Sequence, residues 1–582
     1  MTPDEAPGRN LVTWNHALAW GGMTMLYAAT ALTFFVAPIW GRFGDVLLGT
    51  SLFPHDPVAN AGILEWVYRS LWSPSLTIFN WTAGFPLDNT LAGTENLLAW
   101  QLLYTPLRAM GVGIAAAYNV LIVTSFIISG IGGALLAQRF GASRYGATVA
   151  GFIFAFVPFH LNHVIHLQTM GIFWSPFALL FLDRYLAGRA VKDATGLALA
   201  FALTALSAIY FTVFLLLVLL TYVVVSFAFG RHRFDWRTLT GLAATGLATG
   251  VVLLPLGLPY LRWAAEHGYY HPVDVLVRFS VDLVGLVKVP GWVAAWSGTW
   301  LARKVNWRDG LSWNAAFPGM TATALGIFYL FSRSQSLEER RIKWILFFLS
   351  VFALLLSLGP VLKLRPGLAV EWVPMPGSLF ARFSAIRWPA RILLYTYLFG
   401  GVLAGLGASM FTQRLTPRAR ALAALPILLL LMLEYWPARW YAGNSVTVPP
   451  PLALSDAYPF LANEADRGGV VELPSADETG YRTPMMHRYT YASAGHFRRV
   501  VAVFGSVQLT LPRSLQDAAD RLPDPSARDQ LMAHGVTRLV VHQTLMPPKT
   551  AARITQSLRA AGYPVLHEGK EAVVFALTHA AR

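Results

Sequence analysis

Three groups of residues in this sequence carry side chains able to do chemistry. The first lies within residues 40–97, which hold Asp45, His55, Asp56, Glu65, Asp88 and Glu95 between strongly apolar flanks. A carboxylate close to a membrane face is costly unless it is solvated or used, and a carboxylate held there is a candidate general base. Asp56 sits in Phe53-Pro54-His55-Asp56-Pro57, where the following proline favours extended or turning backbone just before a new element. The alternative is a solvated loop with a helix-capping aspartate. Residues 60–70, with Trp66 and Tyr68, are expected to form a short amphipathic helix lying along an interface.

The second group is His160, His163 and His166. At helical spacing residues three apart share a side, so these imidazoles are expected to line one wet surface. They serve as solvated interfacial groups, as donors to a phosphate or as metal ligands, but nothing nearby in sequence completes a metal shell. The third group is Arg387 and Arg391 in Arg-Trp-Pro-Ala-Arg. Four residues apart, they are expected on one helical side, where guanidinium either anchors to headgroups or takes a planar anion such as phosphate.

The elements that must position these groups follow from composition. Of the 582 residues, 55% are hydrophobic and 13% charged, against roughly 25% charged in soluble proteins, and the mean hydropathy is +0.49. A soluble globular enzyme is excluded. Cysteine is absent, which removes disulfides, thiolate metal sites and cysteine nucleophiles. The net charge of +15 is what basic cytoplasmic loops produce, and no basic–aromatic module for nucleic acid is present. No Walker lysine motif occurs. Gly130, Gly132 and Gly133 lie inside an apolar run and read as helix packing.

A span needs about 20 apolar residues. Eleven stretches qualify approximately: 17–38, 114–137, 146–160, 168–183, 195–209, 211–229, 239–259, 316–332, 344–360, 391–411 and 419–436. The expected turn near Ser207–Tyr210 decides the topology. Arg139 and Arg144, then Arg184, Arg189 and Lys192, then Arg231, Arg233 and Arg237, then Arg333, Arg340, Arg341 and Lys343, and finally Arg414, Arg418 and Arg420 fall in short loops on one side, cytoplasmic if the N-terminus is. The long segments 40–97, 261–315 and 361–390 then lie outside, although Arg262, Arg278, Lys288, Arg303, Lys304 and Arg308 make the second of these basic. Glu434, near the end of the last span, reads as a snorkelling interfacial acid.

After Pro437 the character changes. Pro449–Pro451 is a stiff linker, and beyond it come strand-length runs at Val470–Leu473, Val500–Phe504, Val536–Val541 and Ala572–Leu577. Amphipathic stretches Leu515–Leu522, Ala527–His534 and Ala551–Ala560 lie between them, with Gly535 and Gly562 as terminators. The fold class expected is therefore an α-helical polytopic membrane domain, residues 1–440, followed by a small extracytoplasmic α/β domain, 441–582.

The sequence resembles the polytopic bacterial GT-C glycosyltransferases, specifically the YfhO-like and related membrane proteins. The resemblance rests on Asp56-Pro57 with Asn60 and Trp66, Phe85-Pro86, Thr90-Leu91-Ala92 and Glu95. It continues through Ala117-Tyr118-Asn119, Gly151-Phe152, Phe154-Ala155-Phe156 with Pro158, His163, His166-Leu167-Gln168, Trp174-Ser175-Pro176 and Arg387 to Arg391. It implies a bacterial inner-membrane transferase that moves a sugar from a polyprenyl-phosphate-linked donor to an extracytoplasmic glycan, lipid or protein acceptor. Asp56 then matches the family's base, with Asp45 and Glu95 as further acids. His55, His160, His163, His166, Arg387 and Arg391 would bind the phosphate, and a divalent cation, magnesium or manganese, is the cofactor to look for. A flippase or transporter would need polar or broken helices at mid-membrane, whereas residues 195–259 are nearly free of ionisable groups until the loop at 231–237. A scaffold that keeps the fold without activity is the third reading.

Overall fold

The computed structural model describes residues 20–73, 76–267, 271–299, 302, 315–365, 367–383, 386–412, 415–503 and 509–577. Residues 17–19, Arg303, Lys304, Arg308, Arg414 and Phe504, together with the side chains of Arg418 and Arg420, lie outside that description. Contacts divide the chain into two units. One comprises Met1–Trp40, Ile122–Leu254 and Tyr270–Gly443; the other comprises Gly41–Leu121, Pro255–Tyr269 and Asn444–Arg582.

A helix stands at each of the eleven apolar stretches. Among the described residues six are long and apolar enough to cross a membrane: Trp20–Arg42, Ile114–Arg139, Arg144–Asn162, Ile209–Ala228, Trp236–His267 and Pro389–Thr412. Met320–Phe331 and Leu425–Tyr435 are apolar but shorter. The chain is a multi-pass membrane protein. At the critical turn, helix Val191–Ser207 ends at Ala208, whose backbone is extended, and Ile209–Ala228 begins at once and packs back on its predecessor.

In the first unit, helix Leu393–Thr412 packs against Arg144–Phe156, Met320–Phe331 and Leu337–Ser357. In lipid such packing relies on small residues that let backbones approach. A Cβ on Gly146 would lie 2.1 Å from the Gly405 carbonyl oxygen, so only glycine fits this crossing. Gly130 and Gly133 act likewise, against the Tyr27 ring and the Gly151 backbone, which makes them packing residues. Glu434 proves to be a cap. Its carboxylate accepts from the Thr321 backbone N–H at 3.1 Å and the Thr321 hydroxyl at 2.9 Å, at the start of helix Met320–Phe331.

Polar contacts gather the basic loops at one end of this unit. Asp183, past the middle of helix Ser175–Gly188, is bound by Arg139, Arg231, His232 and the Tyr222 hydroxyl. Arg231 in turn pairs with Glu338, and the Ser143 N–H donates to Ser409 Oγ at 2.9 Å. Away from that end, a hairpin of β1 (Val361–Arg365) and β2 (Leu368–Pro374) sends Lys363 Nζ to the carbonyls of Val277 at 3.0 Å and Ser280 at 2.7 Å. This fixes the backbone around Phe279.

The second unit contains a four-stranded sheet of order β3-β4-β6-β5: β3 (Gly469–Leu473), β4 (Val536–His542), β5 (Val565–Glu568) and β6 (Ala572–Ala576). β3 and β4 are parallel, and the other pairs are antiparallel. The predicted helices appear as Thr510–Ala519, Pro525–Ala533 and Pro548–Ala560, with Gly535 and Gly562 at positive φ after the last two. Val500 contributes only isolated bridges, to Ala83 and Val470.

Residues 82–85 pair with this segment: the Val500 N–H donates to Thr82 O at 2.7 Å and the Gly84 N–H to Ala502 O at 2.8 Å. The amphipathic interface helix expected at 60–70 is instead helix His55–Trp72, buried over most of Pro57–Val67. It packs on helix Thr483–His496 so closely that a Cβ on Gly62 would lie 3.1 Å from Tyr491 Cα. Protein has taken the place of the lipid surface.

Candidate functional site

Asp56 lies in the first turn of helix His55–Trp72 and is 23% exposed. It meets a residue that the sequence reading missed. His487, on helix Thr483–His496, places Nδ1 4.0 Å from Asp56 Oδ1 and is hydrogen-bonded to the backbone of His55. Burial outweighs the attraction of Asp56 and lowers the His487 pKa to about 4, so this imidazole is neutral at physiological pH. The His55 ring stands 6.2 Å from that of His487 and is also held below the usual range, first by burial, against the pull of Asp56 and Asp477. No spacing rule links residue 56 to residue 487, so only the fold reveals this pair.

The other acids of the region lie elsewhere in the second unit. Asp45 is exposed, on a loop clamped by Asn119, whose amide donates to Phe43 O at 2.9 Å and Val46 O at 2.8 Å and accepts from the Leu48 N–H at 2.9 Å. Glu95 is half-buried near Tyr260, which accepts from Asn96 Nδ2 at 3.1 Å. Glu65 is fully buried and saturated, bonded by Arg108, Arg69 and the Tyr104 hydroxyl. Burial pushes its pKa up, but the two guanidiniums win and hold it below the usual carboxylate range.

In the first unit the histidines do not line a wet surface. Helix Arg144–Phe156 ends at Val157, and Pro158–Asn162 is a short separate helix, so regular helical spacing is lost. All three rings are buried. His160 turns to Phe126 and Phe154, with Nδ1 donating to Phe154 O at 3.1 Å. His163 and His166 meet each other at 5.7 Å between ring centroids, and both meet Trp388, at 5.8 and 5.5 Å.

The arginines are also placed differently from one helical side. Pro389–Ile392 is a 3-10 turn. Arg387 is exposed over Phe279, with His271 feeling its charge. Arg391 is 7% exposed, and its guanidinium lies between Tyr210, 4.9 Å away, and Trp388, 4.7 Å away. Arg391 Nε and His163 Nε2 are buried with no hydrogen-bond partner. An unpaired cationic donor buried beside an imidazole is unstable alone and suits an anion that supplies several acceptors.

Among the described residues no group of three or more His, Asp or Glu side chains could hold a metal ion.

Compared with solved structures, the chain matches over 96% of its length the mycobacterial arabinofuranosyltransferase AftD, at a TM-score of 0.56 and 16% identity, and covers 41% of that chain. The chain has the GT-C fold. It also matches the oligosaccharyltransferase of Archaeoglobus fulgidus, at 12% identity over 96% of this chain and 74% of that one, with a TM-score of 0.48. ArnT of Cupriavidus metallidurans bound to undecaprenyl phosphate matches at 16% identity over 96% and 98%, with a TM-score of 0.43. The fold assignment rests on the first. No family model matches the chain, and no curated protein matches it by sequence.

Proposed function

We propose that this protein is a membrane glycosyltransferase that moves a sugar from a polyprenyl-phosphate-linked donor to an extracytoplasmic acceptor. The observation that carries the reading is Arg391, buried between Tyr210 and Trp388 with Nε unpaired, beside the unpaired Nε2 of His163. A phosphate ester satisfies the Arg391 donor, whereas a neutral solute leaves the cation unpaired. A sugar on a lipid phosphate already has a good leaving group. What remains to be supplied is a base for the acceptor hydroxyl and positive charge for the departing phosphate.

Asp56 is the proposed base, partly exposed and adjoined by neutral His487, which adds no charge to weaken it. Asp45 and Glu95 are the lesser candidates for the base, and Arg387, His55 and His166 are further candidate phosphate ligands. In this reading the protein works in a bacterial inner membrane with the N-terminus and basic loops cytoplasmic, which the positive-inside bias supports.

The test is transfer by purified protein from a panel of polyprenyl-phosphate sugars. Asp56→Asn is expected to lower turnover by about 10²–10⁴ while detergent-solubilised yield and thermal midpoint stay at wild-type values. Wild-type turnover in this variant would remove Asp56 from the chemistry.

A further inference from the structure

His163 has its two ring nitrogens in opposite situations. Nδ1 lies 2.8 Å from the carbonyl oxygen of Phe159. A carbonyl only accepts, so Nδ1 carries a hydrogen and the neutral ring has its lone pair on Nε2. Nε2 is the nitrogen that is buried without a partner. As a neutral ring it has nothing to donate to a phosphate there; it donates only as imidazolium. Trp388 touches His163, His166 and the Arg391 guanidinium alike, so the three share one wall.

We propose that His163 acquires a proton on Nε2 when a phosphate ester binds beside Arg391 and donates that proton as a hydrogen bond, so that donor binding takes up one proton. This rests on the reading of Arg391 as the phosphate ligand. The charged and titratable groups acting on His163 are His166, Arg391 and His160. Burial, then His166 and Arg391, hold its pKa well below the usual range, so without the anion the imidazole is neutral. A bound anion reverses the sign of the local field, and the same imidazole becomes the natural counter-charge.

The measurement is isothermal calorimetry of the full chain in micelles with an isoprenoid methyl phosphodiester. That ligand is a monoanion throughout neutral pH, so any proton taken up goes to the protein. In two buffers of different ionisation heat, wild type is expected to take up about one proton, and its affinity to rise about tenfold for each pH unit lowered. His163→Gln is expected to bind with no uptake and no pH dependence, and His166→Gln to keep both. Binding by wild type without proton uptake, or uptake that survives in His163→Gln and disappears in His166→Gln, would overturn the inference while leaving the phosphate reading intact. No binding at all would overturn the phosphate reading itself. Dimethyl phosphate distinguishes the source of the anion: binding more than tenfold weaker than the isoprenoid ester supports a lipid-linked ligand, and equal binding overturns that class. The two-buffer experiment needs no variant, so a misfolded substitution does not leave the question open.

Discussion

Helix Ile209–Ala228 is 20 residues long, about 30 Å, and a polar cluster lies at each end of it. Near its start, Tyr210 covers the Arg391 guanidinium; just beyond its end, Arg231 meets Asp183. Both clusters bury arginine with histidine and tyrosine, and composition does not separate them. Bonding does. Asp183 accepts from Arg231 Nε and His232 Nε2, each at 2.9 Å, as well as from Arg139 and Tyr222, while Arg231 takes Glu338 as a second counter-charge. Two carboxylates thus offset two guanidiniums. Among the described residues the Arg391 end has the cation without a paired carboxylate. A closed ionic network holds helices together, and the open one is the cluster proposed to take an anion.

In the second unit Glu65 is buried and saturated by Arg108, Arg69 and Tyr104, whereas Asp56 is partly exposed near the neutral His487.

The contrast breaks most visibly at Asp183. Asp183→Ala leaves Arg139 and the buried Arg231 with only the half-exposed Glu338 as counter-charge and is expected to cost about 3–5 kcal/mol, read as a lowered thermal midpoint and loss of monodisperse protein. Turnover per folded molecule should be unchanged. Arg391→Lys should do the reverse. It keeps the charge but loses the planar fork and the stacking on two rings, so transfer is expected to fall by about 10²–10³ at near wild-type stability. If Arg391→Lys lowered the thermal midpoint and left turnover per folded molecule intact, the open cluster would be structural after all.

A finer test uses acid. Glu65 has a folded-state pKa depressed below the unfolded value of 4.5, so the stability it contributes is complete above about that pH and is lost as pH falls through the folded pKa. Glu65→Gln should therefore flatten the acid limb of a stability–pH curve; an unchanged limb would mean that the pair contributes nothing. The smallest effect is expected from Arg69→Ala. This partner is 44% exposed, and exposed pairs are worth under about 1 kcal/mol.

The apolar stretches and their basic loops were legible because hydropathy and charge are local properties: any span must be about 20 apolar residues, whatever it packs against. Three of the four strand runs, at Val470–Leu473, Val536–Val541 and Ala572–Leu577, and the terminating glycines were legible for the same reason, whereas Val500 makes only isolated bridges and Val565–Glu568 was not foreseen. The candidate residues could also be named from type alone. Their environments could not. Three histidines at helical spacing looked like a wet stripe, but the helix breaks at Val157, and the rings are buried among Phe126, Phe159 and Trp388. Two arginines four apart looked equivalent, but the 3-10 turn leaves one exposed and buries the other.

Residues 55–72 carry aromatic side chains that fit a lipid interface or a protein partner equally well. Tertiary packing chose the partner, helix Thr483–His496, and with it brought His487 to Asp56 across more than 400 positions of chain. The sequence by itself determined that this chain lives in a bilayer and which side-chain types are available for chemistry. Only the tertiary structure decided which buried charges are paired and which are left open, because pairing depends on distances between residues that no local pattern relates.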